Sequence, residues 1–172
     1  MGASSSSLFV PRLILLMLGS VAVLATPASA QPDLHVGTWT LNVAKSTYEP
    51  GPPPRSQVRT YLPQGDGLKV VIETVQPLGI KTRSEYAALF DGKDNPLRGN
   101  AEADAISLVR IDAWTFEATL KKRGKVTIVV RNTVSKDGKT MTVTSKGVGA
   151  RGRPVRSAAV FSKQQVTPST RH

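Results

Sequence analysis

Two histidines and no cysteine set the limits of what this chain of 172 residues can do chemically. Without cysteine there are no disulfides, thiolate metal sites, iron–sulfur clusters or thiol nucleophiles. His172 is the last residue, and His35 stands at the edge of the first recognisable strand. Neither is where a rigid scaffold holds a general base. The chain has no Gly-x-Ser-x-Gly elbow, no His-Glu-x-x-His pair and no Gly-x-x-x-x-Gly-Lys-Ser/Thr phosphate loop. Asp91 to Asn95 (DGKDN) offers oxygen ligands, but without the spacing of a calcium loop it reads as a turn. A non-enzymatic protein without a cofactor is expected.

Binding is better supplied. Trp39, Tyr86, Trp114, Phe116, Ile128 and Met141 are candidates to line an apolar cavity, or simply to pack a core. Arg110 shares a face with Ile106 and Leu108, and Arg156 shares one with Ala158 and Val160. An arginine pointing inward could fork onto a ligand carboxylate, whereas one near a strand end could reach solvent along its stem. A small apolar or amphipathic ligand is the partner that these residues suggest.

The elements that must hold these side chains are strands. Period-two alternation dominates. Trp114, Phe116, Ala118 and Leu120 share one face. So do Val126, Ile128, Val130 and Val134, and so do Met141 and Val143. Further strands are expected at Val36–Val43, Ser56–Leu62, Leu68–Val75, Ile80–Phe90, Asp104–Ile111 and Pro154–Lys163. Turn residues separate them: QGDG, PLG, KRG, KDG and GVGARG, with one long loop from Asp91 to Ala103. The Pro-rich stretch from Ala44 to Ser56 reads as an extended strap. Short links pair neighbours in sequence, giving an all-β, antiparallel up-and-down meander of eight to nine strands. Closure into a barrel buries one face and removes the sheet edges.

The formal charge of +11 is unevenly spread. Residues 31–120 carry 9 basic and 11 acidic side chains, and residues 121–172 carry 13 and 1. Lys121, Lys122, Arg123 and Lys125 fall in one hairpin, Arg151 and Arg153 in another. In a meander these two turns open at the same end of the barrel, which predicts a basic rim. Such a rim would dock an anionic envelope surface, lipid or polysaccharide. It could do so with a packed core and no ligand, which is the rival reading. Nucleic acid is not expected, because no basic–aromatic stacking motif is visible.

Residues 1–30 read as a secretory leader. A short Ser-rich start with Arg12 precedes a 13-residue apolar run, Leu13 to Ala25, and then Ala28-Ser29-Ala30. That run is well short of the about 20 residues that cross a bilayer. Cleavage is expected after Ala30, leaving a domain over residues 31–163 and a loose tail over 164–172. A leader on a cysteine-free chain suits a bacterial periplasm or cell exterior.

Gly37-x-Trp39 at the start of the first strand resembles the mark of the lipocalins and their calycin relatives. The wider strings GTWTLNVAKSTYEPGPPPRS, FDGKDNPLRGN and VSKDGKTMTVTSKG resemble small secreted bacterial proteins of unknown function, sometimes labelled lipocalin-like. The resemblance implies a lipocalin-like β-barrel whose Trp39 plugs one end. It further implies a basic residue from the last strand, Lys163 or Arg156, lying over that ring. It carries no catalytic residues.

Overall fold

The computed structural model describes residues 33–165 and Gly2, so the expected leader and residues 166–172 otherwise lie outside the described residues. Ten antiparallel strands follow one another: β1 (Gly37–Glu49), β2 (Ser56–Gln64), β3 (Gly67–Val75), β4 (Lys81–Leu89), β5 (Asn95–Pro96), β6 (Ala105–Arg110), β7 (Thr115–Lys122), β8 (Lys125–Val134), β9 (Thr140–Val148) and β10 (Pro154–Lys163). They form one sheet in the order β4-β3-β2-β1-β10-β9-β8-β7-β6-β5. The sheet curls until its two ends meet. Glu85 on β4 and Arg98 just beyond β5 exchange both backbone hydrogen bonds at 3.0 Å. The fold is an all-β, antiparallel up-and-down barrel, closed by one isolated bridge at this seam. Gly99 beside it has φ +69°, and a Cβ there would lie 2.0 Å from the Arg83 carbonyl oxygen, so only glycine lets the two ends approach.

The count is ten strands rather than eight or nine, for one local reason. The long loop from Asp91 to Ala103 contains the two-residue strand β5, pairing Asn95 with Ile106 and Pro96 with Ala105. The strap is also shorter than the prolines suggest, because β1 runs on to Glu49. A bulge between Asn42 and Thr47 makes this possible. Across it, Ser46 Oγ donates to the Asn42 carbonyl (2.7 Å) and accepts the Val160 amide (2.9 Å), replacing the missing ladder partner. Only residues 50–55 remain as strap, with Pro54 buried.

A second bulge overturns one face assignment. Leu120 pairs with Ile128 and Lys121 with Val126, which leaves Thr127 as the extra residue. Thr127 turns inward and its hydroxyl donates to the Leu120 carbonyl. Val126 therefore leaves the face of Ile128 and Val130 and stands 59% exposed.

Antiparallel order gives the barrel two distinct ends. Trp39, Tyr61, Leu68, Phe116, Val134, Met141 and Phe161 fill one end completely. At the other end lie the strap, the β3–β4, β7–β8 and β9–β10 turns, and the β5–β6 loop. That end opens.

Candidate functional site

The interior holds a cavity of about 480 Å³ below the open end, within the range of small-molecule sites. One wall is apolar and comes from β6, β7 and β8: Ile106, Ala118, Leu120, Ile128 and Val130. The opposite wall comes from β1 to β4 and is polar, with Tyr48, Arg59, Ser84 and Tyr86. Asn132 lies at the floor, where its side chain accepts from the Tyr61 hydroxyl (3.3 Å). A larger groove of about 680 Å³ runs over the outer face of the sheet, past Val129, Thr144 and Ala158. It has no enclosing wall of strands and is separated from the interior by the sheet itself.

Arg59 is the central group of the cavity. Alternation along β2 turns Gln57, Arg59 and Tyr61 to the same side, and Tyr61 is fully buried. The Arg59 guanidinium stacks on Phe161, 4.9 Å from the ring centroid. Its Nε donates to Gln57 Oε1 (2.9 Å), and Gln57 Nε2 in turn donates to Thr74 Oγ1 (2.9 Å). That relay fixes the plane of the guanidinium. Among the described residues, its two terminal nitrogens have no protein hydrogen bond and no carboxylate partner. Burial pushes the phenols of Tyr48 and Tyr86 above their usual pKa, and the Arg59 charge opposes the shift in both. Both hydroxyls therefore stay protonated donors beside the cation.

The sequence-derived cavity residues divide. Tyr86 and Ile128 line the cavity. Trp39, Phe116 and Met141 are fully buried below it, in the plug. Lys163 Nζ sits 5.1 Å from the Trp39 ring centroid and donates to the Leu34 carbonyl, giving the plug its basic cover. Gly37 makes this possible, since a Cβ there would lie 2.8 Å from Lys163 Cε. Trp114 does not continue the alternation to Phe116. It falls in the bend 111–114, half-buried, with its amide held by Asp112 Oδ1 (2.7 Å). Arg156 lies on the outer face, exposed, opposite Glu49 and Lys146, and reaches only the edge of the cavity. The inward face of β10 is that of Val155, Ser157, Ala159 and Phe161.

Arg110 does turn inward, but at the closed end and onto the protein's own carboxylate. It pairs with Asp33 and lies 3.7 Å from the Phe90 ring centroid. Asp33 also accepts from the His35 amide (3.0 Å) and contacts His35 Nδ1 (2.9 Å). Burial alone would raise the Asp33 pKa, but the hydrogen bonds of His35 and Arg110 outweigh it and hold the carboxyl well below the usual range. A carboxylate depressed on folding stabilises the fold above its unfolded pKa of about 4, and that stability drains away as pH falls further. Asp33→Asn is therefore expected to cost about 1–3 kcal/mol at neutral pH. It should also flatten the loss of stability below about pH 4, read from urea midpoints against pH. An unchanged acid limb would remove Asp33 from the account.

The rim residues come together at the open end, unevenly charged. Lys121 pairs with Asp94 (2.8 Å), and Lys122 lies 3.9 Å from Asp104, whose carboxylate also accepts the Arg123 amide. Arg123, Lys125, Arg151 and Arg153 are exposed and, among the described residues, have no ion pair. Arg59 was missed because β2 shows no apolar alternation. The signal lay in Tyr61, two residues on, which commits the odd-numbered positions of SQVRTYL to the inside.

No metal-holding cluster of His, Asp and Glu occurs among the described residues. No family model matches the chain, and no curated protein is recognisably similar to it. Among solved structures, the fold is similar to zebrafish ileal bile acid-binding protein complexed with cholic acid, at 12% identity and a TM-score of 0.45, over 76% of this chain and 99% of that one. It is also similar to the siderocalin Ex-FABP, described as having dual ligand specificities, at 14% identity and a TM-score of 0.34, over 80% of this chain and 78% of that one.

Proposed function

We propose that the protein is a secreted or periplasmic carrier that binds one small amphipathic anion in the barrel cavity, without catalysing a reaction on it. The observation that supports this reading is Arg59: a cation held in place inside a cavity open at one end, its two terminal nitrogens unpaired among the described residues. An acidic head group would take those donors in a forked pair, with the Tyr48 and Tyr86 hydroxyls beside it. The apolar part would lie against Ile106, Leu120, Ile128 and Val130. A half-buried charge without a carboxylate partner weakens a fold, and an anion supplied from outside would offset that cost. His35 supports binding over catalysis, since it is fully buried and hydrogen-bonded below the cavity floor.

Native mass spectrometry of the exported protein, purified from the cells that make it, tests the reading. A co-purifying acidic molecule that is released on denaturation is the expected result. Bare protein in the native spectrum, with no acidic lipid recovered on extraction, would sink it. The same spectra give the mature N-terminus, expected at Gln31 if the leader is cleaved after Ala30.

A further inference from the structure

The two ends of the barrel differ in more than closure. The connections at the closed end carry three basic and four acidic side chains, and those at the open end carry five basic and two acidic, with Asp94 reaching the rim to pair with Lys121. Both acids at the open end are engaged. Asp104 accepts the Arg123 amide and Glu102 accepts the Ala150 amide. Among the described residues, the cations Arg123, Lys125, Arg151 and Arg153 have no ion pair and surround the mouth.

Large apolar side chains stand exposed among them. Leu78 and Ile80, on the β3–β4 turn, are 87% and 60% exposed. Val126 beside the β7–β8 turn and Val148 beside the β9–β10 turn are 59% and 53% exposed. They have no role in the core, and three separate connections present them at the same end. Leu78 is the most exposed large hydrophobic residue of those described.

We infer that the open end is a docking face for an anionic lipid bilayer. The pattern is single apolar tips separated by cations around a rim. Such tips enter the boundary between head groups and acyl chains while the cations stay with the anionic head groups. A soluble polyanion would satisfy the arginines but offers no apolar phase to Leu78 and Ile80. A protein partner would call for a contiguous apolar patch, and here polar connections separate the tips. Docking in this orientation turns the cavity mouth toward the lipid. The inference does not depend on what the cavity holds.

Vesicle co-sedimentation of the exported protein tests it, comparing phosphatidylcholine vesicles with vesicles containing phosphatidylglycerol. Binding only to the anionic vesicles, weakened by added salt, is expected. Arg151→Gln with Arg153→Gln should lower the partition coefficient about 30-fold. Leu78→Ser with Ile80→Ser should lower it about tenfold at unchanged charge. Both pairs lie in exposed turns, so an unchanged melting temperature checks the fold. Arg59→Met should partition like the parent protein, which keeps failure of docking distinct from failure of ligand binding. Equal binding to neutral and anionic vesicles would overturn the inference. So would serine variants that sediment like the parent, since a purely ionic rim needs no bilayer.

Discussion

Replacing Trp39 with alanine is expected to cost about 3–5 kcal/mol of unfolding free energy. The ring is wholly buried, and its Nε1–H donates to the His35 carbonyl at 2.8 Å. Its removal leaves a void at the closed end and an unpaired buried carbonyl. It also leaves Lys163 over empty space in place of a π face. Neighbours cannot collapse into the gap easily, because Trp39 sits in two ladders, opposite Arg59 on β2 and Lys163 on β10. For a domain of this size the melting temperature should fall by about 8–15 °C. Trp39→Phe retains most of the burial but not the hydrogen bond, and should cost about 1–2 kcal/mol. Trp114→Ala is the control, since that ring is only half-buried in a bend. Urea unfolding decides the matter, and a loss below about 1 kcal/mol for Trp39→Ala would mean that the plug is not structural.

The second large effect concerns affinity. Arg59→Met keeps an apolar stem of similar reach and removes the fork. Losing a charge-assisted hydrogen-bond pair costs about 1.5–3 kcal/mol, so the Kd for a fluorescent fatty acid such as parinaric acid should rise about ten- to a hundredfold. The methyl ester of the same chain should bind parent and variant alike, because it gives the guanidinium no anion. Fold stability should hold or rise, since the change removes a half-buried charge that has no carboxylate partner among the described residues. Tyr86→Phe should weaken acid binding by less than tenfold, as one neutral donor is lost. An unchanged preference for acid over ester in Arg59→Met would place the anion elsewhere.

How far the sequence discloses this arrangement depends on the range of the interaction. Alternation of Phe116, Ala118 and Leu120 marks a buried face directly, because a side chain's face is set by its neighbours two residues away. Asp-Gly and Lys-Asp-Gly turns mark the hairpins for the same reason. The bulges do not show. Whether Ser46 can replace a ladder partner depends on Val160, and the inward turn of Thr127 depends on the Leu120 carbonyl. The arginines are the clearest case. Alternation places Arg110 on the inner face correctly, yet its partner Asp33 lies 77 residues away. Nothing local shows that Asp33 meets it while Arg59, among the described residues, meets no carboxylate. Arg156 does share its face with Ala158 and Val160, but these small apolar residues lie on the outer side of β10, so their company does not mark an inward position. The rim was more legible, since antiparallel order alone puts alternate turns at the same end.

The position of the seam shapes how the chain can assemble. The first and last long strands, β1 and β10, pair in the middle of the sheet, and the ring closes between β4 and β5. Closure therefore joins Glu85 to Arg98, a short loop with a small entropy cost. The expensive contact is the one between β1 and β10, where Gln164 meets Thr40 across 124 residues. Two arcs, β1 to β4 and β5 to β10, consist almost wholly of hairpins between sequence neighbours and can form early. The slow event is then the registration of one arc against the other along β1 and β10, with Trp39, Lys163 and Phe161 as the residues that must find each other.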